Sequence, residues 1–99
     1  VARYMTEFAF GEIFARPGLD LKTRELLAVA AHTVNGDLIQ VEIHIKNALN
    51  VGCKPKEIVE TIVQMCLYGG FCAMYGGNTT AMKVFEERGI WNEQDGWKE

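Results

Sequence analysis

Two histidines and one apolar-flanked carboxylate are the residues of this chain best suited to chemistry. Glu25 precedes the run Leu26-Leu27-Ala28-Val29-Ala30-Ala31 and shares its helical side with Leu21, Ala28, Val29 and His32. A carboxylate among apolar neighbours is poised to hold or release a proton, as a general acid or base must. His44 stands at the edge of an apolar stripe, and Asp37, Gln40 and His44 are spaced i, i+3, i+7 along one flank. Imidazole as a side chain exchanges a proton near neutral pH, which suits acid–base work. His32 lies two helical turns beyond Glu25 on the same face and can extend a proton relay. Structural roles stay open for all three. Glu25 in a first helical turn is favoured by the helix dipole, or it can pair with an arginine such as Arg24 of a neighbouring subunit. His32 and His44 can equally be core or interface histidines with satisfied hydrogen bonds. Two histidines and a carboxylate have the composition of a metal triad, but there is no close-spaced pair such as HExxH, and no metal is expected.

The three cysteines, Cys53, Cys66 and Cys72, form no CxxC motif and read as small buried hydrophobes rather than a disulfide framework. Free thiols suit a reducing compartment, so a cytoplasmic protein is expected. No phosphate loop, dinucleotide fingerprint, nucleophile elbow or zinc spacing occurs.

The elements that must position these groups read as helices, with no sustained period-2 alternation. The expected helices are Arg3–Ala15, Leu21–Val34, Leu38–Val51, Pro55 to about Tyr68, and Phe71–Glu87. The first has Tyr4, Phe8, Ile13 and Phe14 as its apolar side and stops at Arg16-Pro17-Gly18. Asp20 caps the second, which is apolar all round and therefore expected to be buried and central, ending at Asn35-Gly36. Asp37 and Gln40 form a capping box on the third, whose stripe is Leu38, Val41, Ile45, Ala48 and Leu49, with Glu42 and Lys46 paired opposite. Pro55 suits the first position of the fourth. Gly76-Gly77 weakens the fifth and is expected to split it. Trp91 and Trp97 in the polar tail are expected to cover a neighbouring surface.

The chain has 99 residues, 48% hydrophobic and 23% charged, with net charge −3. This is one domain, 1–99, with a modest core, so oligomerisation is expected to bury more surface. Mild acidity argues against nucleic acid as a partner, and no apolar run is long enough to span a membrane. The start Val1-Ala2-Arg3-Tyr4 shows no apolar leader and no initiator Met, so residues are expected to precede it.

Several stretches resemble the carboxymuconolactone decarboxylase family. They are Phe10-Gly11-Glu12-Ile13-Phe14-Ala15-Arg16-Pro17, Leu19 to Ala31, His44 to Cys53, Glu57-Ile58-Val59-Glu60, Gln64-Met65, Tyr68-Gly69-Gly70-Phe71 and Lys83 to Gly89. Together they cover most of residues 8–89 in order. The resemblance implies an all-α, single-domain bundle of about five to six helices with the alkylhydroperoxidase D-like fold, assembled as a homo-oligomer, a hexamer or trimer. Alkylhydroperoxidase D-type proteins carry a glutamate followed on the next helix by CxxCxxxH. Aligned on His44, this chain has Asp37 and Gln40 at the two cysteine positions and Glu25 at the glutamate. The acid–base pair is kept and the thiol pair is not. The resemblance therefore implies cofactor-free decarboxylation of 4-carboxymuconolactone, or of a related small lactone or acid in aromatic (protocatechuate) catabolism. Glu25 and His44 would be catalytic, and Arg16, Arg24, Asp37, Gln40 and His32 would bind substrate. The alternative is an alkylhydroperoxidase-like thiol peroxidase using Cys66 or Cys72. The chain departs from the family pattern at Cys72 to Thr80 and at His32, where an apolar residue is expected.

Overall fold

Local signals set most helix boundaries in the computed structural model, which describes residues 1–90. Trp91 and Trp97 lie outside the described residues. In order, the elements are α1 (Ala2–Thr6), a π-helical segment (Glu7–Ile13), α2 (Leu21–Asn35), α3 (Leu38–Asn50), α4 (Pro55–Gln64), α5 (Cys66–Gly69) and α6 (Phe71–Arg88). The fold is all-helical, as the helical periodicity implied.

Asp20 Oδ1 accepts the Thr23 N–H at 2.8 Å and starts α2. Gly36 ends it at φ 74°, a left-handed position that glycine takes without strain. Asp37 Oδ1 accepts the Gln40 N–H at 3.2 Å and starts α3. The expected capping box is only half formed. The Asp37 N–H is spent on the His32 carbonyl at 3.1 Å, so the Gln40 side chain is not drawn back to it. Pro55 occupies the first turn of α4, where its missing N–H costs nothing.

The core is one cluster: Val29 from α2, Val41, Ile45 and Ala48 from α3, Ile58 and Ile62 from α4, and Ala81, Val84 and Phe85 from α6, all fully buried. Across the outside of this cluster, Glu42 takes Lys46 and Lys83 at 2.9 Å each, joining α3 to α6. These bonds hold the Glu42 carboxyl below its usual range and the Lys83 ammonium above its own.

Four further expectations are corrected. The first helix is not a regular α-helix. The Phe14 N–H bonds the Ala9 carbonyl at 2.8 Å, an i→i+5 bond, and the wider turn shifts the register. Tyr4, Phe8 and Ile13 face outward, and only Phe14 of the expected side turns inward. The fourth helix stops at Gln64, where the chain turns at Met65 into the separate α5. The last helix is not split, because at Gly77 an added Cβ would lie 2.8 Å from Ile62 Cγ2 and 3.0 Å from Thr33 Cγ2. The missing side chain lets α6 press on α2 and α4, and tertiary packing overrides the weak helix propensity of glycine. Finally, α2 is central but not buried all round, since Leu27 is 54% exposed. Among the described residues, no helix is long and apolar enough to cross a membrane.

Candidate active site

The α2–α3 hairpin places Glu25 and His44 face to face. Glu25 Oε1 and His44 Nδ1 are 2.7 Å apart, with the two residues only 4% and 9% exposed. Removing a carboxylate from water costs on the order of several kcal/mol, and a short charge-assisted hydrogen bond offsets that cost. An ionised carboxylate only accepts, so opposite an ionised Glu25 it is Nδ1 that donates, and Nε2 is the ring edge left for other partners. Fixing one nitrogen in this way also fixes the plane of the imidazole.

The other face of the ring is held as well. His32 stacks on His44 with ring centroids 5.2 Å apart and planes 15° from parallel. Phe14 approaches His44 from the π-helical segment at 6.4 Å, and Phe10 meets Phe14 edge-on at 5.1 Å. One edge and one face of the catalytic candidate are thus fixed by Glu25 and His32.

Both histidines border a cavity of about 430 Å³ between the N-terminal segment and the α2–α3 hairpin. Ala2, Met5, Thr6, Ala9, Phe10 and Phe14 form its roof, and Ala28, His32, Gln40, Ile43 and His44 form its floor. That volume suits a small organic acid, and a mainly apolar wall with a few convergent polar groups is how ligand sites are usually built. Neither α1 nor the π-helical segment contains a buried residue, so the roof is a thin layer above a well-packed floor.

The structure brings Glu25, His32, Gln40 and His44 together and leaves the other proposed binding residues elsewhere. Asp37 is exposed at the α3 N-terminus as its cap. The Arg24 guanidinium donates to the Arg16 carbonyl at 3.0 Å and to the Leu19 carbonyl at 3.3 Å. It clamps the connection between roof and floor, and Arg16 contributes its backbone to that clamp. Neither arginine borders the cavity. The roof residues Met5, Ala9 and Phe10 were missed as site residues, because the aromatic side of Tyr4 and Phe8 reads as the inward one, and which side meets α2 and α3 is a tertiary fact. The i→i+5 geometry leaves no mark in the sequence beyond Gly11, a weak helix former.

The cysteines stand apart from this cavity. Cys53 is buried, and its thiol donates weakly to the Lys22 carbonyl at 3.6 Å. Burial pushes this thiol up, with the nearby Glu57 adding to the effect, so it is a poor nucleophile. Cys66 is half-buried and Cys72 exposed, and neither borders the cavity. Among the described residues, no group of three or more His, Cys, Asp or Glu side chains is placed to hold a metal ion.

Comparison with known proteins identifies relatives of this arrangement. An uncharacterized 15.0 kDa protein in the nqo9-nqo10 intergenic region of Paracoccus denitrificans is 44% identical over 85 residues, covering 84% of this chain and 63% of that protein. The 4-carboxymuconolactone decarboxylase of Acinetobacter baylyi is 32% identical over 87 residues, covering 88% of this chain and 65% of its own length. The nitrosuccinic acid decarboxylase npaB of Metarhizium robertsii is 33% identical over 66 residues, covering 67% of this chain and 46% of its own length. The chain thus spans less than two thirds of the length of these relatives. The model of the carboxymuconolactone decarboxylase family matches residues 1–86, and the chain belongs to that family.

Proposed function

We propose that the chain forms the acid–base core of a cofactor-free carboxy-lyase acting on a small unsaturated lactone or acid of the 4-carboxymuconolactone type. The observation that carries this reading is the 2.7 Å pair of Glu25 and His44, whose His44 ring stands on the wall of an organic-acid-sized cavity. The names of two relatives, a 4-carboxymuconolactone decarboxylase and a nitrosuccinic acid decarboxylase, support the reaction class.

The chemistry needs an electron sink, an oxyanion partner and a proton. The carbon–carboxylate bond breaks, CO2 leaves, and its electron pair moves into the conjugated lactone to give a dienolate. The unsaturated substrate is itself the sink, so no cofactor is required by the chemistry. As the imidazolium, His44 donates through Nε2, either to the developing oxygen or to the carbon that takes the proton, and the neutral ring then regains a proton from water. Glu25 holds Nδ1 and stabilises the ring while it carries two protons, as the acid of a His–carboxylate pair does.

We further propose a homo-oligomer, a trimer or hexamer, supported by exposed apolar side chains on α5 and α6 such as Leu67, Tyr68, Phe71 and Tyr75. The free thiols support a reducing, cytoplasmic setting.

The test follows CO2 release from 4-carboxymuconolactone and from related unsaturated lactones and acids, with a parallel hydroperoxide and thiol-reductant assay. Turnover is expected to fall by about 100-fold or more in His44→Ala, the usual scale of a lost general acid. It is expected to survive simultaneous Cys53→Ser, Cys66→Ser and Cys72→Ser. Peroxide consumption that disappears with the cysteines, and no CO2 from any acid, overturns the reading in favour of a thiol peroxidase.

A further inference from the structure

His44 is equipped to take a proton from carbon as well as to give one. Glu25 Oε1 lies 2.7 Å from His44 Nδ1, so opposite the ionised carboxylate the neutral ring keeps its proton at Nδ1 and its basic lone pair at Nε2. Among the described residues nothing else bonds to Nε2, and the ring borders the cavity. When Nε2 takes a proton, the imidazolium forms directly against the Glu25 carboxylate, which stabilises it.

An enolate formed by such a base also needs a donor at its oxygen. Gln40 borders the same cavity one helical turn before His44 on α3, and Cβ atoms four residues apart on a helix stand about 6 Å from each other. The Gln40 backbone N–H is used by Asp37, whereas its side-chain amide has no partner among the described residues. Two other polar side chains line the cavity. His32 lies flat against the His44 ring. Thr6 belongs to α1, which has no buried residue, while α3 is anchored in the core through Val41 and Ile45. A rigid anchor is what a preorganised oxyanion donor requires.

We propose a second activity for this cavity: proton transfer on unsaturated lactones that carry no carboxylate to lose. His44 Nε2 takes a proton from the carbon between the lactone carbonyl and the double bond. The electron pair of that C–H bond moves into the conjugated system to give a dienolate, whose oxygen accepts a hydrogen bond from the Gln40 amide. The imidazolium then returns a proton to the same carbon, which exchanges it with solvent, or to the far end of the dienolate, which shifts the double bond into conjugation. No other reactant is consumed. The activity uses the pair and cavity of the lyase reading and rests on that reading's choice of site, but it involves no carbon–carbon bond cleavage.

The probe is α-angelica lactone, an unsaturated five-membered lactone without a carboxyl group, mixed with the intact protein in D2O buffer. Proton NMR follows loss of its allylic CH2 signal and growth of the conjugated isomer. The loss is expected to be at least about 100-fold faster than in buffer alone, the scale of a positioned base. His44→Gln offers Glu25 an N–H but has no basic nitrogen, and is expected to return the rate to that of buffer. Gln40→Ala is expected to lose about tenfold or more, in kcat rather than KM, because its bond strengthens only as charge develops. Cys72→Ser, remote from the cavity, is expected to match the parent. Thermal unfolding of each variant separates lost chemistry from misfolding, and Gln40 is only half-buried.

A rate no faster than buffer overturns the proposal, as does full activity in a folded His44→Gln protein. Full activity in Gln40→Ala overturns the assignment of the oxyanion donor. The outcome is separable from that of the CO2 assay. If the lactone exchanges and no acid is decarboxylated, the proton-transfer activity stands and the lyase reading falls. If CO2 is released and the lactone does not exchange, the lyase reading stands and His44 is not the group that moves a proton to and from carbon.

Discussion

Two adjacent glycines in α6 are expected to respond to the same substitution with opposite signs. At Gly77 an alanine Cβ would meet Ile62 Cγ2 at 2.8 Å, Thr33 Cγ2 at 3.0 Å and Thr33 Oγ1 at 3.1 Å. Thr33 and Ile62 are both 0% exposed, and β-branched residues on helices have little rotamer freedom with which to yield. Overpacking of this kind costs about 1–3 kcal/mol, while leaving glycine for alanine returns about 1 kcal/mol of helix propensity. With three contacts this close, the upper part of the overpacking range applies, and Gly77→Ala should lose about 1–2 kcal/mol. At Gly76 the nearest atom is Leu38 Cδ2 at 3.2 Å, the end of a flexible side chain that is 43% exposed. Leu38 can swing aside, so Gly76→Ala should keep most of the propensity gain, up to about 1 kcal/mol. Urea unfolding at one fixed protein concentration reads both values, because association also contributes to apparent stability. A Gly77→Ala protein as stable as the parent would falsify the claim that close helix approach, rather than chain flexibility, requires glycine there.

Three further outcomes follow from the site and its supports. Glu25→Ala leaves the buried His44 Nδ1 without its acceptor and should cost about 1–3 kcal/mol in urea unfolding, whereas Glu25→Gln keeps an acceptor and should recover most of it. Equal stability of the two variants would show that the pair does not hold the ring. Hydrogen bonds from Thr23 hold the Asp20 carboxyl below its ordinary value of 3.8. Its stabilising contribution is therefore complete above that value and is lost as pH falls through the lowered folded-state value. Asp20→Asn should flatten the acid limb of a stability-versus-pH curve and leave the neutral region little changed. Alkylation followed by peptide mass mapping should label exposed Cys72 first and Cys53 last, because Cys53 is buried and its thiol is pushed up. Fast labelling of Cys53 in folded protein would contradict its packing against the Lys22 carbonyl.

The parts of the fold legible in the sequence are those fixed by neighbours in the chain. Asp20 and Asn35-Gly36 bracket α2 because a cap and a left-handed stop act within one turn. Val41, Ile45 and Ala48 read as a buried stripe because helical period alone brings them to one side. What escaped depends on distant partners. The continuity of α6 through Gly76-Gly77 is set by Thr33 and Ile62, which are remote in sequence. The exposure of Leu27 depends on which sides of α2 find a neighbour within one chain. Of the site, Glu25 and His44 were separately visible as polar residues on apolar faces, but their meeting depends on how α2 packs on α3. The stacking of His32 and the diversion of Arg24 to backbone carbonyls are tertiary facts with no local signature.

The π-helical segment that ends in the Phe14-to-Ala9 bond has a consequence for how this fold can diversify. The proton-handling pair is rooted in α2 and α3, among residues whose replacement disturbs the core. The ceiling above it hangs on a separate stretch without a buried side chain, fastened through Arg24. Changes at Met5, Ala9 or Phe10 therefore alter the shape and size of the space over the histidines at little expense in folding energy. Adding or removing one residue in that wide turn would rotate a different set of side chains inward. The Glu25–His44 pair and the roof above it thus lie on separable pieces of chain, and directed variation of residues 2–14 is the direct route to reshaping the space over the pair.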